Sequence, residues 1–475
     1  MTTALACDLS VGPSDVFGRC WAGHRVTVVG LKRSGLAAIE LLRRMGCRVR
    51  ATDCDGTPEL ERVRASLLAA GVEDVEVGGH SRRLIDEAQL VVVSPGVPET
   101  TGPIRWALER RCPVISEIEL AFHFCPSPVI AITGTNGKST AVTLMAELIN
   151  ASHRRAIACG NLGLPFSSVL EGLTPQTIAV VEVSSFQLLW CDQFRPRIGV
   201  LLNIGTNHLD RHQDASAYLS AKMRLFQRQT PEDWAVLNGC DPRIAELAER
   251  CLSQRVWFGE NRSNPPALRL APETQRALRE SAQAVLQVGR LLGIPDPLTW
   301  QVIRLFHGLE HRMEHVVTTP RGVRFVNDSK STTTDSLLFA LNQTRGEVIV
   351  ILGGRDKGLD FRSLLEPLHQ PRVKGLVLIG ESRVRLHGLL NGRPNGTPVH
   401  ESETLEDAVH LAERLASPGT TVLFSPACAS FDMFRDFEER GRAFKSIVNN
   451  LAGGWGLGAG GLCPEPRAQS PEPTR

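Results

Sequence analysis

The segment PVIAITGTNGKST, residues 128–140, limits the possible folds more than any other part of the chain. Its short apolar run, rich in β-branched residues, reads as a fully buried strand, and a Gly-Lys-Ser turn and a helical pattern follow at once. A buried strand running through a glycine turn into a helix needs both faces of its sheet covered, which predicts a parallel, doubly wound α/β sheet. The turn has the ending of the phosphate-binding pattern G-x-x-x-x-G-K-[ST], although the first glycine position is Ile132. A plain glycine turn with a surface lysine would fit the residues singly. The strand-loop-helix setting favours a phosphate loop, because backbone amides converge at a helix N-terminus there. Gly134, Thr135, Asn136, Gly137, Lys138, Ser139 and Thr140 are then the cradle, with Lys138 reaching the β- and γ-phosphates of a bound nucleotide and Ser139 offering its hydroxyl to Mg²⁺.

Two further regions carry the same αβ alternation. HRVTVVGLKRSGLAAIELLRRMGCRVRATDCD forms a βαβ unit whose second strand ends at Asp53, but Lys32 takes the middle glycine position of the dinucleotide fingerprint between Gly30 and Gly35. VVVSPGVP ends another buried strand with Ser94, Pro95 and Gly96, and two such turns at one sheet edge point to a ligand site. The third region, from Leu309, runs through GLEHRMEHV, FVNDSKSTTTDS, VIVILGGRDKG and TVLFSPACASFDMFRDFEERG. The expected organisation is three domains, a Rossmann-like one at 1–116, a P-loop mononucleotide-binding one at 117–308 and a Rossmann-like one at 309–450. A Gly- and Pro-rich stretch at 451–475 reads as a disordered tail.

Composition removes several classes. A net charge of +2 without a basic and aromatic cluster speaks against nucleic acid. Twelve cysteines without a C-x-x-C pair fit a reducing compartment and not a zinc site. No leader pattern and no run of about 18 apolar residues occurs, so a soluble, cytoplasmic protein without a membrane partner is expected. TIAVVEVSSFQL and RIGVLLNIGTNHLDRH place Glu182 and His208 after buried strands, as candidates for a metal centre; a solvated carboxylate and a capping histidine are the plainer alternatives. Arg312, Lys330 and Lys357 follow strand ends in the third region, where exposed charge is equally compatible.

Taken in order, GLxxSG, SPGVP, TGTNGKST, VEVSSFQL, HLDRH, AYLSAKMRLF, HRMEHV, NDSK, LGGRDKG and SPACASFDMFRDFEERG resemble the Mur ligases, with NDSK and SPACASFDMF pointing to the D-glutamate-adding branch. The resemblance spans Val26 to Phe444 and implies a fold, a reaction and a set of residues. By resemblance, ATP in the central domain phosphorylates the carboxylate of UDP-N-acetylmuramoyl-L-alanine, and the amine of D-glutamate attacks the acyl phosphate. Ser139 and Glu182 would hold one Mg²⁺ and His208 would help hold a second, while Lys222 would be carbamylated to become an oxygen ligand. Read without the family, Lys222 is a plain helix-surface lysine. Asn161 would lie near the reacting groups, and His311, Arg312 and Asp328 would reach ATP. Lys330, Thr332, Lys357, Ser430 and Phe437 would receive D-glutamate, and Leu31, Lys32, Asp53, Ser94, Pro95 and Gly96 would surround the uridine diphosphate. The resemblance also implies a monomer whose domains close during turnover.

The chain departs from the family at several positions. Ala277, Leu278 and Ser281 replace the polar residues that help seat adenosine, Gly205, Thr206 and Asn207 alter the segment before His208, and Thr333 replaces an asparagine. Two other readings compete. A nicotinamide dehydrogenase accounts for the first βαβ unit but not for the Gly-Lys-Ser loop. An inactive nucleotide-binding paralogue accounts for the lost adenosine contacts but not for the joint retention of Lys138, Glu182, His208, Lys222, Lys330 and Lys357, and a Mur-type ligase for another amino acid stays open as an alternative.

Overall fold

The computed structural model describes residues 21–161, 163–205, 215–259, 272–306, 308–356, 359–391 and 396–454, and the side chains of 215, 272–277 and 452–454 lie outside that description. His208, Lys357, Thr206, Asn207 and the side chain of Ala277 therefore fall outside the described residues. Two compact units divide the chain, Met1–Phe306 and His307–Arg475.

The first unit contains two parallel sheets. β1 (Arg25–Val29), β2 (Arg48–Asp53), β3 (Asp74–Val77), β4 (Leu90–Val93) and β5 (Val114–Ser116) pair in the order β3-β2-β1-β4-β5. Helix α1 (Arg33–Arg44) buries Leu41 and Leu42 against them. The order reverses beside β1, so its carboxyl end and that of β4 flank a crevice.

α2 (Glu117–Phe124) leads to the second sheet. Its strands are β6 (Val129–Thr133), β7 (Arg155–Gly160), β8 (Thr177–Glu182), β9 (Ile198–Leu201), β10 (Trp234–Asn238) and β11 (Gln254–Phe258), in the order β11-β10-β9-β6-β8-β7. β6, the strand of the opening motif, is buried throughout and sits between β8 and β9, with Ile132 opposite Glu182 and Thr133 opposite Leu201. The chain thus leaves β6 at a switch point, with the ends of β8 and β9 on either side. Helices α3 (Lys138–Ala151), α4 (Ala215–Met223) and α5 (Pro272–Leu291) belong to this layer.

One hydrophobic core joins the two sheets, with Leu42 of α1, Phe122 of α2, Phe166 and Phe194 in a single cluster. At that junction Glu117 is completely buried, and it accepts hydrogen bonds from the Ser167 amide at 2.6 Å and from the Ser167 hydroxyl. Burial pushes its carboxyl up to about 7, against the lowering effect of those hydrogen bonds.

The second unit contains β12 (Glu314–Thr318), β13 (Arg324–Asn327), β14 (Val348–Gly353), β15 (Val373–Ile379), β16 (Val399–Glu401) and β17 (Thr421–Phe424), in the order β12-β13-β17-β14-β15-β16. Only β12 runs antiparallel to its neighbour among these described pairs. The last helix, α6 (Phe437–Gly454), stacks Phe444 on Phe424 with ring centroids 4.6 Å apart. Truncating such a ring to alanine costs about 3–5 kcal/mol. α6 extends past Leu451, where the tail was expected to begin, because Leu451 still packs on the hydrophobic core. Among the described residues no helix is long and apolar enough to cross a membrane.

Candidate active site

β6 delivers the loop Gly134–Gly137 to the N-terminus of α3. Gly137 caps that helix at φ +80°, a left-handed conformation that side-chain-bearing residues adopt at a cost. α3 then turns Ser139 inward toward the end of β8. Glu182 closes that strand, buried to 2% exposure, and its two oxygens accept from the Ser139 hydroxyl at 2.8 Å and the Asn161 side-chain amide at 2.9 Å. A hydroxyl and a carboxylate held together at the mouth of a phosphate loop are hard oxygen donors, the set that Mg²⁺ prefers.

Lys138 occupies the place the motif requires, but its ammonium is folded onto its own loop, donating to Gly134 O at 3.0 Å and Thr135 O at 2.9 Å. Lys222 differs most from its plain reading. It is 1% exposed and not on the surface, because α4 turns that face toward the sheet. Its Nζ donates to Gly134 O at 2.9 Å and lies 4.5 Å from the ring centre of Tyr218, four residues earlier on the same helix. Among the described residues it has no carboxylate at ion-pair distance. Burial first, and then the Lys138 charge, hold its ammonium well below the usual lysine range, while Glu182 opposes the shift.

Tyr218 is one of several residues that sequence reasoning missed. Its hydroxyl lies 3.2 Å from Thr135 Oγ1, so the single tyrosine of the chain joins α4 to the phosphate loop. Its spacing of four from Lys222 was the available signal. Asn203, just beyond β9, also contacts the loop, with Oδ1 accepting from the Thr135 and Asn136 amides at 3.1 and 2.9 Å.

The first sheet holds its predicted residues around the turn after β1. Asp53 accepts from the Leu31 amide at 2.7 Å, and the Ser94 hydroxyl donates to Gly30 O at 3.0 Å. Lys32 and Gly96 are exposed and Pro95 is half-buried beside them.

The second unit gathers another polar cluster. Asp328, directly after β13, is fully buried and accepts from the Ser425 hydroxyl at 2.8 Å and the Met313 amide at 3.2 Å. Burial pushes its carboxyl up to about 7, opposed by Ser425, Met313 and the Arg312 and Lys330 charges. His311 is buried at φ +62°, and its Nδ1 accepts from Asn327 Nδ2 at 3.0 Å. Asn327 Nδ2 also faces Glu314 Oε2 and Gly441 O, which identifies it as the donor. Lys330 donates its amide to His311 O at 3.0 Å, and Lys330 and Thr332 are half-buried. Ser430 is buried and its carbonyl accepts from the Phe434 amide, while Phe437 O accepts from the Ser329 hydroxyl at 2.8 Å. Arg440, also missed, links these segments, donating to Ser329 O at 2.8 Å and Cys428 O at 3.0 Å from a fully buried position. Burial lowers its guanidinium to about 10, so it stays charged.

Three family models match successive parts of the chain. The chain matches the MurD-like N-terminal domain over residues 24–116, the Mur ligase middle domain over 132–288 and the Mur ligase glutamate ligase domain over 311–428. A UDP-N-acetylmuramoylalanine–D-glutamate ligase of Anaeromyxobacter dehalogenans is 40% identical over 462 residues, covering 90% of this chain and 98% of that one. The ligase of the same name from Koribacter versatilis is 36% identical over 451 residues, with 90% and 98% covered. The solved UDP-N-acetylmuramate-alanine ligase of Thermotoga maritima shares the three-domain α/β fold at a TM-score of 0.53 and 16% identity, covering 90% of this chain and 99% of that chain. The chain belongs to the Mur ligase family.

Proposed function

We propose that this chain is an ATP-dependent ligase that joins D-glutamate to UDP-N-acetylmuramoyl-L-alanine in the cytoplasmic synthesis of a peptidoglycan precursor. The observation that carries it is the meeting of Lys138, Ser139, Glu182 and buried Lys222 at one phosphate loop, in a chain matched along its length by D-glutamate ligases. Residues 1–116 take the uridine diphosphate, 117–308 the nucleotide and 309–450 the amino acid, and the protein works as a monomer.

The chemistry requires opposing negative charges to meet, since the carboxylate of one substrate attacks the γ-phosphate of another. Lys138, released from Gly134 O and Thr135 O, supplies positive charge at the phosphates, and the N-terminus of α3 adds its dipole. Ser139 and Glu182 would hold Mg²⁺, with His208 and Lys222 serving a second ion. When bound, Mg²⁺ would screen the charge between the reacting oxyanions. Burial disfavours the charged form of Lys222 and so favours the amine, whose lone pair can bond to the carbon of CO₂; the nitrogen then loses a proton to solvent and a carbamate anion results. That group offers anionic oxygens where an ammonium could offer none. Asn161 holds Glu182 in place, His311, Arg312 and Asp328 serve ATP, and Lys330, Thr332, Lys357, Ser430 and Phe437 receive the two carboxylates of D-glutamate.

Phosphate release in the presence of ATP, Mg²⁺ and UDP-N-acetylmuramoyl-L-alanine tests this function. It should be strong with D-glutamate and weak with L-glutamate or meso-diaminopimelate. Equal rates with all three would overturn the amino-acid assignment, and release independent of the second substrate would overturn the ligase.

A further inference from the structure

The phosphate loop is gripped from outside its own strand and helix. Asn203, on the segment leaving β9, presents both ends of its side-chain amide to the loop. Oδ1 accepts from the Thr135 and Asn136 amides, while Nδ2 donates to Asn136 O at 3.2 Å and to Glu280 Oε2 at 2.5 Å. Two donors on one side and two acceptors on the other leave a single sensible orientation of the amide. Glu280 and Ser281 are neighbours on α5, and the Ser281 hydroxyl donates to Gly137 O at 3.3 Å. Both ends of the loop are therefore tied to the helix segment in which Ala277, Leu278 and Ser281 replace the family's adenosine-seating residues.

We propose that Asn203 and Glu280 form a latch that sets the shape of the phosphate loop, with Asn203 acting as a positioning residue for nucleotide binding. The latch rests on the nucleotide site proposed above and deepens it. Asn203 fixes the backbone of Thr135 and Asn136, and Glu280 fixes Asn203 by accepting from its amide. The loop is then held before nucleotide arrives, so less ordering has to occur on binding. An interaction made equally in the ground and transition states lowers KM and leaves kcat nearly unchanged.

The test is a cycle of variants in the full-length protein, read by steady-state kinetics with ATP varied and by calorimetric ATP binding without the other substrates. N203A should raise KM for ATP about tenfold and change kcat by less than about threefold. N203D should be worse, because it sets a second carboxylate against Glu280 and also faces Asn136 O with an acceptor. N203D/E280Q should recover most of that further loss, since the new amide at position 280 can donate to the new carboxylate. A general packing defect at either site would not be repaired by the second substitution. A double variant no better than N203D, or N203A with an unchanged KM for ATP, would overturn the latch. If the position 203 variants fail to fold, E280A at its half-buried helix position carries the test: a KM for ATP raised about threefold supports the latch and an unchanged one overturns it. Wild-type protein that binds no ATP would instead overturn the nucleotide site itself.

Discussion

The turn after β1 and the loop after β6 follow the same sequence logic, a buried strand, glycines and a helix, yet they present opposite chemistry. In the first, the Leu31 amide is taken by the carboxylate of Asp53 and the Gly30 carbonyl by the hydroxyl of Ser94. Gly35 is needed there for packing, since a Cβ at that position would lie 1.8 Å from Gly30 O. In the second, the glycine at 137 serves loop shape, the carbonyls of Gly134 and Thr135 receive the Lys138 ammonium, and that of Gly134 also receives the Lys222 Nζ. A βα turn thus acquires its charge preference from the side chains that other elements bring to it. The glycines only make the approach possible.

Substitution at Lys222 should break this contrast most severely. Lys222→Ala is expected to lower kcat for ligation by about 10³ or more, with partial recovery when a small carboxylic acid is added to the assay. Turnover like the wild type would show that the buried lysine has no part in the reaction.

Gly35→Ala should separate packing from phosphate chemistry. Overpacking against Gly30 O is expected to destabilise the fold by about 3 kcal/mol in chemical unfolding, while KM for ATP in the folded fraction stays unchanged. An ATP defect as large as that of the Lys222 variant would mean that the two turns are not independent.

The junction between the two sheets should respond to pH through Glu117. Its folded value, about 7, is raised above the ordinary 4.5, so its contribution to stability is fully present below about pH 4.5 and is lost as pH rises through about 7. Glu117→Gln should remove that slope, about 3 kcal/mol between pH 4.5 and 8, as read from urea midpoints at several pH values. Parallel pH dependences in the two proteins would exclude Glu117 as the titrating group.

The smallest effect expected is at Asp53. Asp53→Asn keeps an acceptor for the Leu31 amide but removes the charge, and it should raise KM for the uridine substrate about tenfold or less without moving KM for ATP. A change in the ATP constant instead would reverse the assignment of the two turns.

The three αβ regions, the phosphate loop and the strand-end position of Glu182 were legible because each depends on neighbours in the chain. A strand buried on both faces must be a continuous apolar run, and a turn into a helix must carry glycine and small polar residues. The resemblance carried the role of Lys222, but the nine residues of α4, ASAYLSAKM, have no marked polar and apolar faces to reveal that it is buried. Asn203 and Glu280 showed no signal either. Their partners lie 67 and 77 positions away, and the hydrogen bonds exist only once β9 and α5 pack around β6. Patterns local to the chain specify the elements, the glycine turns and the residue types available for charge. Tertiary structure alone decided which charges are desolvated, because the dielectric around Lys222, Asp328, Glu117 and Arg440 is set by groups distant in the chain and adjacent only after folding.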